Sequence, residues 1–227
     1  MVLPGLLFFA ALAASRVLPA GLFLSRVSAA VCPGCSSDSV KIPAKVSQVA
    51  VVRYKGHSKG TFSFYQKNKE GKWIRSFSCK AWLGEKGIGK KKEGDKKTPV
   101  GFYYLEQPFG ILKNPGMDKD WHYLKVTRRH YWCGTSTGRF GKYYNHLVTS
   151  RTRVPGEHLI DYKGSYDYSM FITYNKSGKK KKGSAIFLHC SKNRPTAGCV
   201  AISKSYMRKF MKKLKPDKKP GIVIYKK

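Results

Sequence analysis

Hydrophobic and polar positions divide this chain unevenly. Residues 46–54 are rich in valine, and Thr61, Phe62, Ser63, Phe64 and Tyr65 alternate in part between polar and apolar. Turn residues at 68–71 lead from there into 73–79, so the region predicts an antiparallel hairpin. Residues 84–99 hold four glycines, a proline and many charges, which predicts a loop. Strand character resumes at 100–105 with Tyr103 and Tyr104, and 113–120 is again a polar loop. From 121 to 158 aromatics mix with Gly, Ser and Thr without a period, and no element is assigned there. Residues 170–174 and 184–188 are short apolar runs bounded by turn residues, which predicts buried strands. One helix stands out: Ile202, Tyr206, Phe210 and Leu214 recur every fourth position, widened by Met207 and Met211. Ser203 is its expected N-cap, lysines crowd its far end, and Pro216 stops it. Residues 222–225 form a last strand. The expected fold is mainly β and sandwich-like, with one or two packed helices.

The first thirty residues differ from the rest. Apolar runs at 6–14 and 17–24 flank Arg16, and Ser28, Ala29 and Ala30 supply the small residues of a signal-peptidase site. The uncharged run 1–15 is shorter than the roughly 20 residues a membrane-spanning helix needs. A cleaved signal peptide over 1–30 is therefore expected, an uncleaved anchor being the alternative. Residues 31–45 read as a linker and 46–227 as one folded domain, secreted or held at the cell envelope.

Charge changes the picture of partners. Lys plus Arg number 45 against 12 Asp plus Glu, a formal net charge of +33. Such a surface attracts polyanions by long-range electrostatics and counterion release. The lysines are spread along the whole chain and no nucleic-acid motif accompanies them, so no dedicated nucleic-acid partner is expected. A solvated cationic face with no dedicated partner is the plain reading, and anionic envelope polymers or an acidic substrate are the alternative partner class.

The chain has six cysteines: Cys32, Cys35, Cys79, Cys133, Cys190 and Cys199. Cys32 and Cys35 have no second pair at zinc-ribbon spacing, so a local disulfide or two free thiols are expected rather than a metal site. No cofactor is expected either. A cysteine nucleophile needs a base in reach, since an unperturbed thiol is only a few per cent ionised near neutral pH. His189 ends an apolar strand, and Cys199 follows a segment with Asn193, Pro195 and Gly198 that lets the chain double back. Neighbours on a strand point to opposite faces, which separates Cys190 from His189 and favours Cys199 as its partner. Gly198 allows close backbone approach, and the N–H groups of Gly198 and Cys199 are the expected oxyanion donors. By spacing alone, a core histidine and a small buried thiol remain an equally open reading.

Residues Thr196, Ala197, Gly198, Cys199, Val200 and Ala201, preceded by 184–189, resemble the nucleophile segment of the L,D-transpeptidase (YkuD-type) catalytic domain. Residues 87–90 and 93–101 are similar to the glycine-rich entry segment of that family. Tyr131 and Trp132, with Tyr144, Asn145 and then 157–160, fit one branch of it. The likeness covers roughly 46–225. It implies acyl transfer on peptidoglycan stem peptides in cell-wall biogenesis: Cys199 attacks a tetrapeptide stem at its third, diamino residue, His189 is the base, and an amine resolves the thioester as a 3→3 cross-link. Water in place of the amine would make it an L,D-carboxypeptidase, and a cationic envelope-binding protein without turnover is the further alternative. Many members carry a second histidine where this chain has Ala197, and an arginine soon after the cysteine where it has Val200 and Ala201. Arg194, Trp132, Tyr131 and His158 are the expected substrate-binding residues.

Overall fold

The computed structural model describes residues 30–35 and 40–226. Apart from Ala30, the expected signal peptide lies outside them. Among the described residues no helix is long and apolar enough to cross a membrane.

The strands are β1 (Ala30–Val31), β2 (Lys41–Ile42), β3 (Gln48–Gly56), β4 (Lys59–Lys67), β5 (Trp73–Trp82), β6 (Gly101–Gly110), β7 (Leu124–Lys125), β8 (His130–Cys133), β9 (Leu147–Thr149), β10 (Gly156–His158), β11 (Ser169–Ile172), β12 (Phe187–Cys190), β13 (Val200–Ile202) and β14 (Gly221–Lys226), with one α-helix, α1 (Lys204–Lys213). The large sheet runs β11-β12-β13-β5-β4-β3-β14-β6-β7, and β11 also pairs with β6. That extra pairing, with a register shift between Met170 and Phe171, joins eight strands into a closed ring. The mainly β expectation holds, and closure gives the sandwich the character of a flattened barrel.

The predicted hairpin is present as β4 and β5. His57 and Ser58 turn β3 into β4 with φ of 48° and 59°, the left-handed pair that a tight two-residue turn demands. Alternation on the strands sends Val52, Phe62, Phe64, Leu188, Val200 and Ile222 into one interior core. Helix α1 covers this core with Met207, Phe210 and Met211; the Phe210 ring meets Phe62 and Phe64 edge-on, at centroid distances of 5.2 and 4.9 Å. Ser203 caps the helix by accepting the Tyr206 N–H. Strand β12 starts three residues later than the apolar run 184–188 predicts, because Ala185 takes a φ of 53° that no strand accommodates.

Two patches cover the outer face of the ring. On β3 and β14, Val49, Val51 and Val223 pack against Cys32, Ile42 and Val46. The segment expected to act as a linker thus contributes a short β1–β2 ladder and a Cys32–Cys35 disulfide, with Ile42 fully buried. On β6, β11 and β12, Phe109, Phe171 and Phe187 pack beneath Trp132, Leu159 and Tyr166. Trp132 belongs to a separate small sheet, β10-β8-β9, formed by the region to which the sequence assigned nothing.

Candidate active site

Parallel pairing of β12 with β13 sets Leu188 opposite Val200 and His189 opposite Ala201. Alternation then sorts the side chains. Leu188, Cys190, Val200 and Ile202 point into the interior core, while Phe187 and Cys199 belong to the outer cluster. His189 shares the outer face with Cys199, one strand over and offset by two residues, with only the small Ala201 beside it. Both line one cleft of about 570 Å³, at 8% and 7% exposure, so each is buried yet reachable. Cys190, fully buried, donates its thiol to the Tyr168 carbonyl instead.

Each group of the pair is anchored. His189 Nδ1 lies 2.9 Å from the Cys190 carbonyl. A carbonyl only accepts, so Nδ1 carries the proton and the lone pair of neutral imidazole sits on Nε2. Burial pulls His189 down to about 4, against the opposing pull of that carbonyl. The Cys199 thiol donates to the Ala185 carbonyl and accepts the Phe187 N–H, each at 3.3 Å. Burial, reinforced by the Glu157 carboxyl, pushes it up to about 12. The resting pair is therefore neutral on both sides.

The backbone around the thiol is fixed from the glycine-rich segment. The Cys199 carbonyl accepts the hydroxyls of Thr196 at 2.7 Å and Thr98 at 3.3 Å, and Thr98 in turn accepts the Gly84 N–H at 2.8 Å. Gly198 has φ of +142°, and a Cβ there would stand 3.0 Å from the Lys97 carbonyl oxygen. Both facts require glycine. The expectation of a free N–H at Gly198 is not met: it donates to the Thr196 hydroxyl at 3.2 Å, because that side chain folds back over its own turn. Within the glycine-rich loop, buried Lys90 pairs with Asp95 at 3.0 Å. Burial would raise the Asp95 carboxyl, but the N–H groups of Lys92, Lys91 and Lys97, with Lys90, hold it well below the usual range. The loop stands as a cleft wall through Lys90, Glu93, Gly94 and Lys96.

The expected substrate-binding residues divide. Arg194, exposed, and Trp132, buried, both line the cleft. Tyr131 and His158 do not. They pair across β8 and β10 and stack on the opposite side of the small sheet, with centroids 4.4 Å apart. His158 is also tied to Asp161 at 3.0 Å and to the Arg128 carbonyl at 2.9 Å. The same pairing sets Glu157 beside Trp132 on the cleft side. Sequence reasoning assigned Glu157 no role, nor Tyr166, whose hydroxyl donates to Glu157 and whose ring meets His189 edge-on at 5.6 Å. Ser169 was missed as well: it lies opposite His189 on β11, and its buried hydroxyl has no partner among the described residues.

Comparison with known proteins bears on this geometry. Crystal structures of the helical cell shape determining protein Pgp2 from Campylobacter jejuni resemble the chain: one is 21% identical with a TM-score of 0.44, and a lysine-to-alanine mutant is 24% identical with a TM-score of 0.42. Both matches cover 80% of this chain and 48% of the other, so this chain spans about half the length of Pgp2. No curated protein matches it significantly. Residues 49–223 match the YkuD family, the L,D-transpeptidase catalytic domain, a span that takes in the ring of strands, the glycine-rich wall, the small sheet, His189 and Cys199. The chain belongs to the YkuD family of L,D-transpeptidase catalytic domains.

Proposed function

We propose that this chain is a peptidoglycan L,D-transpeptidase whose nucleophile is Cys199 and whose base is His189. The observation that carries the reading is their placement on the cleft face of adjacent parallel strands, with Nδ1 of His189 held by the Cys190 carbonyl. As a stem carbonyl arrives, the thiol proton passes to Nε2 and sulfur bonds to the carbonyl carbon. The backbone N–H of Cys199 takes the oxyanion; that of Gly198 joins only once released from Thr196. Collapse expels the terminal D-alanine, whose amine takes the proton from the imidazolium, and leaves a thioester. An acceptor amine then attacks, gives its proton to His189, and the thiol leaves with it. Arg194, with Lys192 on the same rim, supplies cations for the substrate's terminal carboxylate.

The test is incubation with a disaccharide tetrapeptide, followed by intact mass and D-alanine release, wild type against Cys199→Ala. An acyl adduct on the wild type alone is expected; no adduct and no D-alanine would overturn the assignment. Added amine acceptor separates the two transfers: a cross-linked product supports transpeptidation, and tripeptide alone supports the L,D-carboxypeptidase reading. The +33 charge favours a second reading, a cationic envelope-binding protein placed outside the cytoplasm and held to anionic polymers. Cell-wall phenotypes that persist in Cys199→Ala would support it over catalysis.

A further inference from the structure

In a chain with 45 cations and 12 acids, an acid without a cation is conspicuous. Among the described residues, seven acids hold ion pairs: Glu85, Asp95, Glu106, Asp118, Asp161, Asp167 and Asp217. The other described acids, Glu70, Glu93, Asp120 and Glu157, hold none; Glu93 and Glu157 line the cleft that carries Cys199 and His189, and Glu93 already accepts the hydroxyls of both Tyr144 and Ser184. Glu157 Oε2 accepts the Tyr166 hydroxyl, and its Oε1 has no hydrogen-bond partner among the described residues. Tyr166 is itself locked in place, stacked on Tyr162 at 4.8 Å and edge-on to Phe187 at 5.4 Å, so the carboxyl is held by a fixed hydroxyl at the wall of the cleft. Burying a carboxyl without a cation is costly, and a fold with so many lysines had many ways to pair it.

We infer that Glu157 is the ammonium-recognition residue of the cleft, receiving the primary amine on the side chain of the stem's diamino residue. The inference rests on the cleft being the stem-peptide site. Burial holds the Glu157 carboxyl up to about 7, with the Tyr166 hydroxyl opposing and the Glu93 charge reinforcing it. An ammonium at Oε1 favours the ionised form, so the pair forms as the substrate seats. Two amines of this chemistry reach the site, that of the donor's third residue and that of the attacking acceptor, and the kinetics tell them apart.

Binding is measured first in Cys199→Ala, with a stem tetrapeptide whose side-chain amine is free and with the same peptide acetylated there. The free amine is expected to bind about 10- to 100-fold tighter, the worth of one charge-assisted hydrogen bond. Glu157→Gln should erase that preference by weakening the free-amine peptide alone, and Glu157→Asp should keep part of it. Thermal melting verifies folding, and if Glu157→Gln fails to fold, the free-versus-acetyl ratio in the Asp variant and with Glu157 intact still decides. With Cys199 intact, slowed adduct formation by Glu157→Gln assigns the donor amine, and slowed resolution of a thioester made from acetylated donor assigns the acceptor amine. No preference with Glu157 intact, or equal loss for both peptides in Glu157→Gln, overturns the inference alone. Failure of both peptides to bind or acylate overturns the stem-peptide reading, and the inference with it.

Discussion

Strands β12 and β13 present two faces built from alternate residues of the same few positions. On the inner face Leu188, Cys190, Val200 and Ile202 are fully buried in the core of the ring. On the outer face Phe187 is also sealed, but His189 and Cys199 keep 8% and 7% of their surface at the cleft. Thiol acidity does not separate the two cysteines: burial pushes Cys190 up to about 11 and Cys199 up to about 12. The separation is geometric. One thiol has a core carbonyl and packed side chains in front of it; the other has a cleft and an anchored imidazole on its own face. In a domain this tightly packed, which thiol faces the cleft is set by which way a pleat turns, and a single residue of register decides it.

The sharpest way to break that comparison is Cys199→Ala, which should abolish the acyl adduct and stem-peptide turnover while leaving the fold intact by circular dichroism. Retained turnover would move the chemistry elsewhere. His189→Gln should follow, lowering kcat/KM by about 10² to 10⁴ while sparing the fold; a smaller loss would mean that Nε2 takes no proton. Leu188→Ala, on the inner face between these two, should cost about 2 to 5 kcal/mol in denaturant unfolding yet leave the rate per folded molecule unchanged. Cys190→Ala should cost about 1 kcal/mol and still form the adduct, and loss of the adduct would erase the distinction between the faces. Ser169→Ala removes a buried hydroxyl with no partner among the described residues and should leave stability unchanged or raise it by up to about 1 kcal/mol.

Acid sharpens the contrast further, because only the outer face titrates below neutrality. His189 falls from its ordinary 6.5 to about 4 on folding. Between those values the unfolded chain binds the extra proton, so stability should rise as pH climbs from 4 through 6.5, and His189→Gln should flatten that rise in pH-dependent melting. Glu157 runs the other way: its carboxyl goes up from 4.5 to about 7, so its share of stability is present below 4.5 and lost as pH rises through 7. Glu157→Gln should therefore gain on the wild type above pH 7.

Much of the ring was legible because its strands are long enough to show a period. The β4–β5 hairpin, α1 with its Ser203 cap, and the divergence of Cys190 from His189 all rest on alternation or spacing that survives in a single sequence. The small sheet was not legible, since strands of three or four residues such as β8, β9 and β10 show no countable period. Missing those strands hid a consequence of the same rule. Alternation that parts His189 from Cys190 also parts Trp132 from Tyr131 and Glu157 from His158, sending the first of each pair to the cleft and the second away from it. The Tyr166–Glu157 bond and the hold of Thr98 on Cys199 link distant segments, and no local pattern announces either. By its pattern the glycine-rich segment announced itself as a loop, and by its resemblance as the family's entry segment. Its standing as a cleft wall depends on the buried Lys90–Asp95 pair, which a stretch so full of lysines conceals.

The place of β14 has a consequence for how such a molecule comes into being. This strand follows every other in the chain, yet it lies between β3, its parallel neighbour, and β6. A ribosome therefore finishes all seven other strands of the ring before the one that joins them has been synthesised. Until then β3 and β6 each expose an unpaired edge, and a contact between residues 49 and 221 must wait for all the residues between them. Pairings so remote in sequence make folding slow. A chain of this topology leaves the ring open until β14 has been made.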